Sequence, residues 1–359
     1  MVKILTIIGA RPQFIKAAAV SRAMAGRHDM EEIILHTGQH FDHNMSQIFF
    51  DQMNIPRPDY SLNINSLGHA AMTGSMLEGI EKAIIKEEPD WVMVYGDTNS
   101  TLAGALAAAK LRVPVAHVEA GLRSFNMDMP EEINRILTDR ISRLLFCPTK
   151  TATDNLDREG FSHFPCHITL SGEVMYDACL QFRDLARAPV GFPLLDHFML
   201  ATLHRAGNTN DPYRMERLIT AFNHLSRHMP VVFPVHPRTR NLLGAENLPP
   251  LSDQVMQVPP VGYLEMLYLL KHCTMVLTDS GGLQKEAYFF EKPCITLREE
   301  TEWTELVGAG YNKVCGVDPE HILQAHQHFL NHPPAFESGL YGKGNAAEII
   351  TAAFLNTRL

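Results

Sequence analysis

The sequence predicts an α/β protein built from two doubly wound, parallel-sheet units in series. Three observations predict it. Short β-branched runs alternate with amphipathic stretches along nearly the whole chain, the pattern of parallel strands joined by crossover helices. A length of 359 residues with 45% hydrophobic content suits two domains better than one or three. A stretch rich in Pro and Gly, residues 189–193, separates two such series.

In the first series the strands are expected at residues 4–8, 33–36, 91–95, 113–118, 144–147 and 167–170. Helices at 13–25, 70–86 and 100–110 carry helix formers with apolar residues three or four apart. A helix-like segment, 173–186, leads to the linker, and strands follow at 199–203, 231–235, 255–258, 275–278 and 293–296. A last helix at about 345–356 follows the Gly-rich hinge 339–344 and is expected to pack back on the first domain. The expected division is therefore 1–172, 173–340 and the terminal helix 341–359. Ligands in such sheets sit beyond the strand carboxyl ends, so a central cleft between the units is the natural site.

A formal net charge of −9 offers no bulk attraction to a polyanion, and no nucleic-acid partner is expected. The six cysteines lie without any CxxC pair, which argues against a zinc knuckle, a redox site or a disulfide framework and reads as reduced thiols in a cytoplasmic protein. The apolar run 4–8 contains Thr6 and ends at Gly9 and Arg11, too short for a signal or a membrane segment. His36, His40 and His43 have a spacing a metal site could use, but only Asp42 stands near them as a further ligand, so no metal is expected.

After the first strand comes Gly9-Ala10-Arg11-Pro12-Gln13-Phe14-Ile15-Lys16. Glycine permits a tight turn there, and Arg11 and Lys16 would set positive charge at the mouth of a helix, where anions already bind. A basic surface turn is the plain alternative. In the second series Thr278-Asp279-Ser280-Gly281-Gly282 follows a strand and opens a helix. Its backbone amides and the Ser280 hydroxyl could cradle a diphosphate, with Glu286 a turn further on to meet ribose hydroxyls. An ordinary capped helix with a solvated Glu286 would look the same.

Three acids fall at the ends of first-series elements: Asp97 in GDTNS, Glu119 in HVEAG and Glu131 in PEEINR. Asp97 and Glu119 end strands, so adjacency in the sheet would aim them at one site. Glu131 and Arg135, four apart, share a helix face. Singly each has a structural reading, as N-cap, turn residue and surface ion pair; together they suggest acid–base chemistry. His204-Arg205 and His236-Pro237 likewise follow predicted strands of the second series.

Taken in order, GARPQFIK, TGQH, GDTNST, HVEAGLRS, PEEINR, HRAGN, VHP, DSGGLQKEA and the Thr301-Glu302 pair resemble the non-hydrolysing UDP-N-acetylglucosamine 2-epimerase family, over nearly the whole chain. The resemblance implies two Rossmann-like domains of the glycosyltransferase-B-like fold, working without cofactor or metal. It implies Asp97, Glu119 and Glu131 as catalytic carboxylates, with Arg135, His204 and His236 lining the substrate site. Arg11 would contact phosphate, Ser280, Gly281 and Gly282 would cradle the diphosphate and Glu286 would anchor ribose; Lys16, Arg205, Thr301 and Glu302 complete the expected UDP-sugar contacts. The implied reaction removes the proton from the sugar's second carbon as UDP leaves the first, then re-adds UDP to the glycal with protonation on the other face.

Where this chain reads His204-Arg205-Ala206-Gly207-Asn208, members activated by a second nucleotide sugar commonly read HRREN; they carry a PGQTL-like segment near Asn65-Ser66-Leu67-Gly68-His69, and Arg-Pro where Trp303-Thr304 stands here. The TEW variant is similar to the branch acting on UDP-2,3-diacetamido-2,3-dideoxyglucuronate in O-antigen synthesis. The substrate reading thus stays open between UDP-N-acetylhexosamine and that diacetamido uronate. The family resemblance also implies a homodimer. A glycosyltransferase or hydrolysing 2-epimerase of the same fold, and a non-catalytic nucleotide-sugar sensor, are the rival readings; the sensor would have no need of the three acids.

Overall fold

The computed structural model describes residues 1–39, 57–193, 195–235, 237–243 and 248–357. The chain divides into two compact units, Met1–Gln181 with Ser338–Leu359, and Phe182–Glu337.

Among its described residues the first unit holds seven parallel strands: β1 Val2–Ile8, β2 Met30–His36, β3 Tyr60–Ser61, β4 Trp91–Tyr95, β5 Val115–Val118, β6 Leu144–Cys147 and β7 His167–Leu170. Their order in the sheet is β3-β2-β1-β4-β5-β6-β7. The strands expected at 4–8, 91–95, 144–147 and 167–170 are present, with β1 longer by two residues at its start. The one expected at 113–118 begins at Val115, because Pro114 has no N–H to give the ladder and offers only its carbonyl, 3.0 Å from the Val92 amide.

Helices His69–Glu87 and Asn99–Lys110 supply Met76, Ile80, Ala103 and Ala107 to the core that β1 and β4 line. The second of these lies close because its sheet-facing residues are small: a Cβ at Gly104 would stand only 3.0 Å from Val94 and 3.2 Å from Ile7. The C-terminal helix Ala346–Asn356 returns to this same unit, as expected, and sets Phe354 against Trp91, with ring centroids 5.5 Å apart, and against Phe146. Its connection crosses the chain backbone-to-backbone at Gly172 and Gly342, both in the left-handed region at φ +83° and +86°. A Cβ at Gly172 would lie 2.9 Å from the Tyr341 carbonyl, so only glycine allows the approach.

The units divide inside the helix Val174–Phe182, and not ahead of it. Glu173 N–H reaches the Tyr341 carbonyl at 3.0 Å and Asp177 accepts the Ala347 amide at 2.9 Å, which ties this helix to the C-terminal segment. The helix expected to run to 186 stops at Phe182 and tightens into the 3-10 turn Arg183–Leu185.

The second unit repeats the plan with β8 Met199–Thr202, β9 Val231–Pro234, β10 Val255–Val258, β11 Met275–Thr278, β12 Cys294–Thr296 and β13 Asn312–Val314. Their order is β10-β9-β8-β11-β12-β13, again all parallel where paired. Helices Pro212–Leu225 and Pro319–Asn331 bury Leu218, Phe222, Ile322 and Phe329 against these strands. Among the described residues no helix is long and apolar enough to cross a membrane.

Candidate functional site

In the first sheet the strand order reverses between β1 and β4, the place where doubly wound folds open a crevice at the strand carboxyl ends. Gln13 holds this point together. Its side-chain carbonyl accepts the Gly9 and Ala10 amides at 2.7 and 2.9 Å, while its amide donates to the Tyr95 carbonyl at 2.7 Å. The loops leaving β1 and β4 are thereby riveted to each other. A Cβ at Gly9 would collide with the Thr37 and Ser100 hydroxyls, so the first turn requires glycine for space.

Thr98, not Asp97, caps the helix that follows β4, its hydroxyl accepting the Thr101 amide at 3.3 Å. The Asp97 carboxylate instead meets the Arg135 guanidinium at 2.5 Å and remains one third exposed. Asn134 donates to the Asp97 carbonyl at 2.9 Å, so helix Pro130–Ile141 grips that residue through backbone and side chain together.

The acid expected to face Arg135 from within this helix was Glu131. Glu131 is exposed in the first turn, and Glu132 takes Arg135 at 2.9 Å instead. One residue along a helix turns the side chain by about 100°, so two adjacent acids cannot share a face. Glu132 is fully buried and also accepts the Ser124 and Phe125 amides, both at 2.9 Å, which fixes the loop ahead of the helix. Exposure leaves Glu131 where the helix dipole favours a negative charge and where a ligand could meet it.

Glu119 leaves β5 in the left-handed region, φ +75°, a conformation that non-glycine residues hold only when their surroundings impose it. Its amide and that of Ala120 both donate to the Phe146 carbonyl at 3.0 Å. Its carboxylate forms an ion pair with the Lys16 ammonium, and both side chains are more than nine-tenths buried. A Cβ on Gly96, itself at φ +63°, would come within 3.2 Å of the Glu119 carboxylate. Gly96 thus gives room for the pair. Lys16, Asp97, Glu119 and Arg135 converge on the carboxyl ends of β1, β4 and β5.

The second sheet reverses between β8 and β11. Asp279 is wholly buried there, and its carboxylate accepts the His204 and Arg205 amides at 3.1 Å each and the Asn208 side chain at 3.2 Å. That sets the turn after β8 and leaves the His204 ring half exposed, Nδ1 3.6 Å from Asp279. Ser280 caps helix Gly281–Phe289 by accepting the Leu283 amide at 3.4 Å. The helix mouth so formed carries the partial positive charge that binds phosphates.

Thr301 and Glu302 stand against this mouth. The Thr301 hydroxyl donates to Gln284 at 2.6 Å, and a Cβ on Gly281 would strike the Glu302 carboxylate. Glu302 pairs with Arg298 at 3.0 Å and approaches Arg205 at 4.0 Å. Lys285, almost wholly buried, lies over the Trp303 ring at 3.9 Å, and Glu286 is buried one residue on. Arg205, Ser280, Gly281, Thr301 and Glu302 are therefore one cluster. Gln13, Glu132, Asp279, Lys285 and Arg298 complete the two constellations. The sequence assigns none of them a role, since an isolated polar residue inside a helix, as Gln13, Glu132 and Lys285 are, or in a loop, as Asp279 and Arg298 are, carries no positional signal.

Arg11 opens helix Arg11–Ala25, but its side chain lies outside what is described, as does residue 236. Of the three histidines weighed for a metal, residues 40 and 43 fall outside the described residues, as does residue 42. His36 is a core histidine packed on Phe14, and burial pushes its imidazole down to about 4. Among the described residues no three His, Cys, Asp or Glu side chains gather as a metal would need.

Comparison with known proteins gives a consistent answer. A family model described as UDP-N-acetylglucosamine 2-epimerase matches residues 22–355. The UDP-2,3-diacetamido-2,3-dideoxy-D-glucuronate 2-epimerase of Pseudomonas aeruginosa is 55% identical over 349 residues, 97% of this chain and 98% of the relative. A UDP-N-acetylglucosamine 2-epimerase homolog of Methanococcus maripaludis is 49% identical, covering 99% of each chain. Among solved structures, the Methanocaldococcus jannaschii UDP-GlcNAc 2-epimerase in complex with UDP-GlcNAc and UDP superposes with a TM-score of 0.89 at 39% identity, covering 99% of this chain and 100% of that one.

Proposed function

The chain belongs to the UDP-N-acetylglucosamine 2-epimerase family, and we propose from that premise that its own substrate is the UDP-2,3-diacetamido-2,3-dideoxy-D-glucuronate pair. It is an isomerase, a non-hydrolysing UDP-sugar 2-epimerase. Support for the substrate comes from the 55% identity to the Pseudomonas relative and from Trp303, which packs on Lys285 beside Gly281 where members activated by a second nucleotide sugar carry Arg-Pro.

The observation that carries the catalytic reading is the Glu119 carboxylate, held in a disfavoured backbone conformation and buried against Lys16, next to the Asp97–Arg135 pair. An acetamido-bearing carbon is a poor acid, so loss of its proton must be coupled to departure of a good leaving group. A carboxylate takes the proton from the second carbon, the electron pair forms the double bond to the first, and the bond from that carbon to the diphosphate oxygen breaks with its electrons leaving on UDP. In the return step the diphosphate oxygen attacks the first carbon while a carboxylic acid protonates the second from the opposite face. Two faces need two proton carriers, and Asp97, Glu119 and Glu131 supply them.

In this reading the unit Met1–Gln181 with Ser338–Leu359 carries the proton chemistry and the unit Phe182–Glu337 holds UDP. The Ser280–Gly282 helix mouth takes the diphosphate, Glu286 the ribose, and Arg205 and His204 the leaving oxygen's charge. Arg11 and residue 236 are assigned to the same ligand from the family pattern. A homodimer, a cytoplasmic location and a place in surface-polysaccharide synthesis belong to this proposal too; sedimentation of the purified protein tests the first.

The test is proton NMR in heavy water with each UDP-sugar supplied alone. Epimerisation places solvent deuterium on the second carbon with UDP still attached. Free sugar and UDP in the same spectrum indicate hydrolysis, and no exchange without an acceptor indicates transfer. Turnover on UDP-N-acetylglucosamine but none on the diacetamido uronate overturns the substrate assignment. Glu119→Gln is expected to lose turnover by roughly a thousandfold with UDP binding retained; unchanged turnover removes Glu119 from the chemistry.

A further inference from the structure

The loops that present Asp97 and Glu119 share a buried support that the reaction chemistry does not use. His117, the third residue of β5, has no exposure at all. Its Nε2 lies 2.7 Å from the Gly96 carbonyl oxygen and its Nδ1 lies 2.7 Å from Asp139 Oδ1. A backbone carbonyl only accepts, so Nε2 must be the donor there. The other oxygen of Asp139 accepts Arg123 Nη1 at 2.8 Å and the Gly121 amide at 3.1 Å. Burial by itself would raise the Asp139 carboxyl, but His117 and Arg123 outweigh it and hold it below the ordinary carboxylate range. Arg123 is balanced in turn by Glu159 through bonds of 2.6 and 2.8 Å.

We propose that His117 is a positioning residue that, with Asp139, clamps the Gly96–Asp97 turn and the Glu119 bend to helix Pro130–Ile141 and so sets the catalytic carboxylates in register. The clamp reaches each acid by a short path. The two carbonyls flanking the Asp97 amide and side chain are both held, Gly96 by His117 and Asp97 by Asn134 at 2.9 Å. Glu119 is two residues beyond His117, and Gly121, two further on, is bonded to Asp139. Asp139 sits on the helix that begins with Glu131 and Glu132 and carries Arg135. An ion network buried this deeply is costly and contributes little net stability over apolar residues of equal volume, but it allows one arrangement of its members and no near neighbour. A carboxylate pair exchanging a proton with opposite faces of one carbon needs that uniqueness.

This inference rests on the epimerase reading, and the experiment separates the two. Wild-type protein is assayed with both UDP-sugars beside His117→Phe and Asp139→Asn, and nitrogen-15 NMR of the histidine rings is recorded on the wild type. Absence of wild-type epimerisation refutes the activity while the NMR result still judges the clamp. The clamp predicts a proton on Nε2 of the ring assigned to His117, a loss of kcat of roughly a hundredfold in His117→Phe, and KM and UDP affinity within about threefold of wild type. In Asp139→Asn the amide can donate to Nδ1 while the Nε2 bond to Gly96 survives, so a loss nearer tenfold is expected. A ring without a proton on Nε2 overturns the assignment, as does kcat within twofold of wild type in a folded His117→Phe protein. A fall in UDP affinity matching the fall in kcat would mean general loss of structure and also overturns it.

Discussion

At the scale of single residues, the pairing of Lys16 with Glu119 is the contact whose loss should be felt most. Both side chains are more than nine-tenths buried, so removing the ammonium takes an opposite charge away from a carboxylate that water reaches poorly. Lys16→Met is therefore expected to cost about 3 kcal/mol in stability and about a hundredfold in kcat, read by denaturant unfolding and the heavy-water assay. Loss of stability with full activity would make Lys16 a structural cation only. The positions of Asp97 and Glu119 could be read from the sequence because an acid one or two residues after an apolar strand run is placed by the strand itself. Glu132, Asp139 and His117 could not, since an acid in a polar helix or a histidine in a strand looks the same whether it faces solvent or a buried network. The same ambiguity exchanged Glu131 for Glu132 as the partner of Arg135.

At the scale of elements, the C-terminal helix Ala346–Asn356 receives its cap from another element, through Asp177 of helix Val174–Phe182. Burial pushes the Asp177 carboxyl up from 3.8 to about 6, although the Ala347 and Ala346 amides pull the other way. A raised carboxyl pKa means that the folded chain takes up a proton which the unfolded chain leaves in water. Stability contributed by this group therefore grows as pH falls from about 6 towards 4, and the carboxylate costs stability at neutral pH. Asp177→Asn keeps an oxygen for the Ala347 amide and removes the charge, so it should stabilise the protein at pH 7.5 by about 1–2 kcal/mol and by nothing measurable at pH 4. Thermal melts at the two values decide it, and a destabilised variant at pH 7.5 would show that the charge on the cap outweighs its desolvation. Long apolar strands such as β1 and β4 were legible from their β-branched runs. The two-residue β3 and the polar β13 were not, because pairing with a neighbour and not composition makes them strands.

At the scale of the whole molecule, two doubly wound units were expected from the repeat of strand and helix, and each sheet does reverse its order, between β1 and β4 and between β8 and β11. The chain's end was expected to rejoin its beginning, and the packing of Phe354 on Trp91 and Phe146 is what holds it there. That contact belongs to one unit alone, which permits a test of how far the units unfold separately. Phe354→Ala removes a side chain that is 2% exposed, at a cost of about 3–5 kcal/mol. Calorimetry should then show one transition falling by roughly 10 °C while the other stays. Saturating UDP supplies the complementary probe, since a ligand at a hundred times its Kd adds about 2.7 kcal/mol to whatever binds it. If the Ser280–Gly282 helix mouth carries most of that affinity, UDP raises the transition that Phe354→Ala leaves in place. Both perturbations moving one shared transition would mean that the units melt as a single cooperative body, and the grip on the nucleotide would then have to be apportioned by substitution at Ser280 and Lys16 instead.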